Sequence, residues 1–310
     1  MAQKIVPHLW FDNRTKDAVD TYVRAFSPLG DSCLLSSVVL PDTPSGDALN
    51  VEFMLAGHRF MAIDGGPYFR PNPSISFFVN FDPSRDPRAH EHLDGLWAIL
   101  IEGGFALMDL GEYPFSSHYG WLQDRFGVSW QLILTDPDGE ERPVIVPSLL
   151  FTREHAGQAL AARDFWISVF GDSRPGLTAP YPAGMEPDVE GTLMFGDFVL
   201  EGQWFAAADS ALDHSFSFDE GVSLLVECED QDEIDRLWEA LSAVPEAEQC
   251  GWLKDRFGVS WQIAPADMGQ MMATGTPDQV RRLTEAFLPM RKLDVAALSA
   301  AWEGVSPGSD

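Results

Sequence analysis

The chain has 310 residues, with 48 acidic against 20 basic side chains and a formal net charge of −28 at pH 7. So acidic a surface repels phosphate backbones and anionic headgroups, which excludes nucleic acid and membrane surfaces as expected partners. Hydrophobic residues make up 45% and aromatics 12%, too many for disorder and enough for the roughly two domains that this length suggests.

The elements follow in a repeating order. Residues 5–11 read as a strand, and Ala18, Val19, Tyr22, Val23 and Phe26 then recur at helical spacing. Strands are expected at 33–40, 51–55 and 59–63, the last two joined by Gly57-His58 as a hairpin loop. Asp64-Gly65-Gly66-Pro67 closes this block as a turn. The same order returns with a strand at 75–79, a helical stripe of Leu93, Leu96, Trp97, Leu100 and Ile101, and strands at 106–110, 119–122 and 129–134. A polar linker, 136–143, leads to a second start at 145–151. There the helix carries Ala162, Phe165, Trp166, Val169 and Phe170, and a hairpin is expected to turn at Gly196-Asp197. A strand at 222–226 and a helix with Ile234, Leu237, Trp238 and Leu241 follow. The segment after that helix is short, so one strand is expected to be reduced or lost. Beyond Pro265 two further helices are expected, one opening at Thr276-Pro277 and one at Asp294, packing on the body as a lid or brace.

Cys33, Cys228 and Cys250 are far apart and form no CxxC, which predicts buried, reduced thiols. No signal-like apolar run lies between Met1 and Trp10, and no apolar stretch reaches the ~18 residues of a membrane span. A cytoplasmic location is the expectation.

One motif outweighs the rest. Gly120 to Gln131 read Gly-Trp-Leu-Gln-Asp-Arg-Phe-Gly-Val-Ser-Trp-Gln, and Gly251 to Gln262 differ only in having Lys254 for Gln123. Such identity means two copies of one unit, so any site should be sought twice. With the Ile-Val-Pro start, the helix ending at Ala25-Phe26 and the Asp-Gly-Gly-Pro turn, the motif resembles the PhnB-like proteins. These form a branch of the vicinal oxygen chelate superfamily, beside glyoxalase I, fosfomycin-resistance proteins, bleomycin-binding proteins and extradiol dioxygenases. The resemblance covers 1–135 and 144–265. It implies an α+β chain of two tandem glyoxalase-like domains, 1–138 and 144–266, and a helical tail, 267–310. Each domain would hold two βαβββ modules with a curved sheet around a cleft. Met268, Met271, Met272 and Met290 resemble the Met-rich ending of that branch.

Metal-using members of the superfamily hold a divalent ion through His, Glu or Gln on the first and last strands of the modules. The ion polarises two neighbouring substrate oxygens. Carried over, the resemblance puts His8 near a ligand position and Gln131 where metal-using members have Glu; Ser74 and Ser76 bring no imidazole. Glu52 or Asp64 could add a carboxylate. In the second copy Ser148 or Leu149 replaces His8, Ser223 follows, Gln262 ends the motif and Glu201 is the evident carboxylate. So thin a ligand set points to a small, partly apolar molecule bound in an aromatic-lined cleft, without obligatory metal or other cofactor. The candidate ligand-binding residues are His8, Trp10, Glu52, Asp64, Trp130, Gln131 and Gln262. One alternative is a metal-dependent lyase or dioxygenase-like enzyme using His8, Glu52 and Gln131 with one divalent ion in the first domain. Another is a non-catalytic scaffold or regulatory module.

Other residues read as structural. Asp124-Arg125 and Asp255-Arg256 are expected to fix the Phe-Gly turn, and Trp121, Trp130, Trp252 and Trp261 to fill sheet cores. His90 and His92, two apart at a helix start, read as solvated. No Ser/His/Asp set or phosphate-cradling glycine loop is present. The branch often carries a methyltransferase label for ubiquinone synthesis, yet the chain lacks the Gly-x-Gly-x-Gly turn of a Rossmann-type methyltransferase. Two fused copies can mimic a dimer, so a monomer is expected, or a homodimer through open sheet edges.

Overall fold

The computed structural model describes residues 3–136 and 140–305. The middle of the expected linker, 137–139, lies outside the described residues. The first module comprises β1 (Ile5–Phe11), α1 (Thr15–Phe26), β2 (Cys33–Thr43), β3 (Gly46–Leu55) and β4 (His58–Asp64). The second comprises β5 (Ile75–Phe81), α2 (Ala89–Leu100), β6 (Phe105–Tyr113), β7 (Ser116–Gln123) and β8 (Ser129–Leu134). The third comprises β9 (Ile145–Phe151), α3 (Ala159–Val169), β10 (Arg174–Pro180), β11 (Leu193–Leu200) and β12 (Gln203–Asp209). The fourth has β13 (Val222–Cys228), α4 (Gln231–Leu241), β14 (Trp252–Lys254) and β15 (Ser260–Pro265), one strand short as the sequence foretells.

The tail holds three helices where two were expected: α5 (Met268–Thr274), α6 (Pro277–Phe287) and α7 (Val295–Glu303). A capping box starts α6, with Thr276 and Gln279 satisfying each other's backbone amides. Asp294 caps α7 by accepting from the Ala297 amide.

Both expected hairpin turns are displaced. The first turns at Ala56-Gly57, whose φ values of 46° and 81° give the doubly left-handed geometry of a type I′ loop, and His58 already belongs to β4. In the second copy Gly196-Asp197 lies within β11, and the turn is made by Glu201-Gly202 at φ 50° and 72°.

The sheets run across the two halves. One has seven strands in the order β14-β15-β13-β1-β4-β3-β2, the other eight in the order β10-β11-β12-β9-β5-β8-β7-β6. The first module thus shares a sheet with the fourth, through antiparallel β1 and β13 with His8 opposite Ser223. The second shares one with the third, through β5 and β9 with Ser76 opposite Ser148. How the four modules pair is left open by the sequence; in the structure the strand pairing crosses between the halves. What joins the modules of a half is instead the apolar face of each sheet. In the first half Phe60 of β4 meets Phe77 of β5 and Trp130 of β8. In the second, Trp166 of α3 meets Phe198 of β11 and Trp261 of β15.

A buried carboxylate fastens each duplicated turn. Asp124 Oδ1 accepts the Phe126 and Val128 amides, while Oδ2 accepts the Tyr22 hydroxyl at 2.7 Å and the Trp130 indole at 2.9 Å. Asp255 repeats this with the Phe257 and Val259 amides and the Trp166 and Trp261 indoles. The aspartate alone does what the Asp-Arg pair was expected to do. The arginines lie over rings: Arg125 is 4.8 Å from the Phe126 centroid and Arg256 is 3.7 Å from that of Phe165.

All three cysteines are free; Cys228 is buried and Cys250 half-buried, but Cys33, on the edge strand β2, is exposed rather than buried. Among the described residues no helix is long and apolar enough to cross a membrane.

Candidate functional site

The tail roofs one sheet. Met268, Met272, Val280, Leu283, Phe287, Leu293 and Leu298 form a second apolar cluster with Leu40 of β2 and Ala48 of β3. Beneath it lies a cavity of about 140 Å³, walled on the sheet side by His8, Trp10, Asn50, Met61, Trp252 and Gln262 and on the tail side by Met268, Met272, Phe287 and Leu293. Strand alternation explains the wall: His8 and Trp10 point to the tail, whereas Leu9 and Phe11 join the core. On β15 Gln262 and Ala264 face the cavity, and Trp261 is buried in the core.

His8 is the polar centre. Gln262 Nε2 donates to His8 Nδ1 at 2.7 Å and to Ser223 Oγ at 2.9 Å. Because Nδ1 accepts, the neutral ring carries its proton on Nε2. Burial pushes the imidazole pKa down to about 4, against the opposing pull of a hydrogen bond to Asn50. Trp252 meets the His8 ring edge-on at 6.0 Å and Trp10 likewise at 6.0 Å, while the Trp10 indole donates to the Gly66 carbonyl.

A neutral His8 has a consequence for acid stability. Its folded pKa of about 4 lies below the ordinary 6.5, so its contribution is complete above 6.5 and is lost as pH falls toward 4. Between pH 7 and pH 4.5 the wild type should lose about 2–3 kcal/mol more than a His8→Leu variant, measured by urea unfolding. Equal losses in the two proteins would show that His8 is not held neutral.

The other expected site residues lie elsewhere. Glu52 is bound to Arg59 at 2.6 Å, and Arg59 also holds Glu227 at 2.8 Å, so both carboxylates are engaged by one shared guanidinium. Asp64 accepts the Thr15 amide at 2.9 Å and hydroxyl at 2.7 Å, which satisfies the start of α1. Trp130 is fully buried on the helix side of its sheet, bonded to Asp124. Gln131 belongs to the eight-stranded sheet, where it accepts from the Tyr119 hydroxyl and donates to Ser76. The trio His8, Glu52 and Gln131 therefore does not converge. The partner of His8 is Gln262, from the other copy. Asn50, Met61 and the tail residues had no signal of their own; the Met-rich tail and its expected role as a lid were the available pointers.

The donors around His8 do not fit a resident divalent ion. They are one imidazole whose Nδ1 lone pair is engaged by Gln262, the Ser223 hydroxyl, the two amides of Gln262 and Asn50, and Met61 paired beside His8 on β4. The carboxylates on neighbouring strands, Glu52 and Glu227, are tied to Arg59. Zinc and its neighbours prefer several imidazole, thiolate or carboxylate ligands. In the eight-stranded sheet the matching residues Ser76, Ser148 and Gln131 include no imidazole at all.

A family model described as 3-demethylubiquinone-9 3-methyltransferase matches the chain twice, over residues 3–133 and 143–264. Among solved structures, the PhnB protein of Bacillus cereus is 32% identical, covering 43% of this chain and 100% of its own, with a TM-score of 0.38. A protein of Pseudomonas aeruginosa is 26% identical, covering 43% of this chain and 98% of its own, with a TM-score of 0.36. Glyoxalase I from Zea mays is 11% identical over 84% of this chain and 93% of its own, with a TM-score of 0.52. That last likeness shows the vicinal oxygen chelate fold alone. No curated protein matches.

Proposed function

The chain belongs to the 3-demethylubiquinone-9 3-methyltransferase family, and we propose that it binds a small, partly apolar molecule under its tail, without an obligatory metal. In this reading the repeats, 1–138 and 144–266, jointly build one binding site and the tail, 267–310, closes it. The single observation that carries the reading is a buried His8, hydrogen-bonded to Gln262, in a mainly apolar cavity walled by Trp10, Trp252 and methionines. Apolar walls with a few convergent polar groups are the usual make-up of a small-ligand site.

Size narrows the occupant. A volume of about 140 Å³ is close to the ~150 Å³ apolar cavity that accepts benzene, and below the ~300 Å³ where drug-sized pockets begin. A single-ring molecule with one hydrogen-bond acceptor, able to take the His8 Nε2–H over from Asn50, fits that space. The methyl transfer named in the family's description is not part of the proposal. A nucleoside-sized methyl donor exceeds the cavity, and the chain has no Gly-x-Gly-x-Gly turn.

Titration of metal-free protein with acetophenone, p-cresol and benzyl alcohol, followed by calorimetry, tests this. At least one should bind, and Ala264→Phe, which fills the cavity from β15, should weaken it at least ~10-fold, about 1.4 kcal/mol. Affinity that ignores Ala264→Phe, or that appears only with added metal, would refute the reading.

A further inference from the structure

A second polar cluster lies outside the cavity, on the helix side of the eight-stranded sheet. His90, Asp94 and Trp97 fall at i, i+4 and i+7 on α2, one face of the helix. On β7, His118 and Gly120 share a face, two residues apart. Trp97 packs onto Gly120 so closely that a Cβ there would meet its ring at 2.5 Å. The missing side chain lets α2 settle on β7 and brings His90 and Asp94 over His118. Asp94 Oδ1 is 2.7 Å from His118 Nε2 and Oδ2 is 3.2 Å from His90 Nδ1, with the imidazoles stacked at 4.1 Å. Ligand atoms of all three residues lie within 4.8 Å of one another.

The duplication supplies an internal comparison. Trp238 stands where Trp97 does and Gly251 where Gly120 does, which sets Gln231, Asp235 and Gln249 at the corresponding positions. The second copy keeps the carboxylate but has amides for both imidazoles. There Gln231 donates to Asp235 at 2.9 Å, and Lys292 from the tail pairs with Asp235 at 2.6 Å. Among the described residues no lysine or arginine pairs with Asp94. The scaffold therefore forms without imidazoles, and the first copy adds metal-ligating groups around a carboxylate that lacks a permanent cation.

We propose that His90, Asp94 and His118 form a binding site for a divalent transition metal of the zinc, nickel or cobalt type. Two imidazole nitrogens and one carboxylate oxygen suit these ions, with water completing the shell. The site opens to solvent: the His90 side chain is 60% exposed, that of Asp94 48% and that of His118 15%. The net charge of −28 draws cations toward it. On binding, the ring nitrogens that now direct a proton at Asp94 must give it up to present lone pairs to the ion, the proton being released to solvent or replaced by one on the other ring nitrogen, so that each ring binds neutral. This site is independent of the ligand cavity and of the reading given to it.

Equilibrium dialysis of the untagged, chelator-treated full chain against zinc chloride, with metal counted by mass spectrometry, tests the proposal. Wild type should hold one zinc per chain, and His90→Gln or His118→Gln, which copy the amides of the second repeat, should each weaken binding at least ~10-fold. His8→Leu should bind zinc as wild type does. Absence of zinc, retention by the His90→Gln/His118→Gln double variant, or loss in His8→Leu would each overturn it. Unchanged thermal melting of the apo variants separates lost ligands from lost fold.

Discussion

Asp255→Asn is expected to destabilise the chain by about 3–5 kcal/mol, and Asp124→Asn by about 2 kcal/mol, in urea unfolding at pH 8. Each carboxylate oxygen accepts two bonds, so an Asn amide must turn its NH₂ toward a pair of donors. Around Asp255 those pairs are two backbone amides or two indoles, and none can reverse to accept. Around Asp124 the Tyr22 hydroxyl can rotate and accept the NH₂, leaving only the Trp130 indole unpaired. Burial lifts the Asp124 pKa to about 6, so at pH 8 the wild-type group is a carboxylate able to accept all four. The order of the two variants is the discriminating feature. A change below about 1 kcal/mol in both would mean that these turns are held by packing alone, and the opposite order would mean that the Tyr22 hydroxyl does not accept from the new amide.

Leu283→Ala is expected to cost about 2–5 kcal/mol, the range for deleting a fully buried leucine side chain. Leu283 is central to the cluster formed by the tail with β2 and β3, which is separate from the main core. Its loss should therefore open the tail before it unfolds the sheets. Hydrogen exchange should show amides of α5, α6 and α7 losing protection while those of β1 and β13 keep theirs. Because the tail roofs the cavity, affinity for the single-ring ligand should fall in the same variant. Uniform loss of protection across chain and tail would show instead that the two form one cooperative unit.

Much of this architecture was legible in the residues. The duplicated Gly-Trp-Leu motif identified two copies, the periodicity located main strands and helices, and the short segment before the second motif pointed to the missing strand of the fourth module. Alternation along a strand determines which side chains share a face, so His8 and Trp10 could be grouped before any coordinates. It does not determine which strands become neighbours. The pairing of β1 with β13 joins segments from opposite ends of the chain, and the bond between His8 and Gln262 spans 254 positions. No local pattern encodes such a contact.

The misplaced candidates have equally physical causes. Asp64 looked free because the helix start it satisfies, Thr15, lies 49 positions earlier. Trp130 and Gln131 are adjacent and so must face opposite sides of the sheet; the motif could not tell which side was core. Glu52 depended on Arg59, its neighbour across the β3–β4 hairpin, which converted a candidate ligand into one arm of an ion-pair network. The cluster on α2 has only half a local signal: His90 and His92, two residues apart, lie on different faces, and the partners of His90 are Asp94 one turn on and the distant His118.

The most direct test of a shared, metal-free site is a crystal structure of chelator-treated protein soaked with whichever single-ring compound binds. Density for the compound should fill the space between His8, Trp252 and Met272, with its acceptor within hydrogen-bonding reach of the imidazole. Density on the eight-stranded sheet instead, or an ion coordinated by His8 and Gln262, would contradict the account.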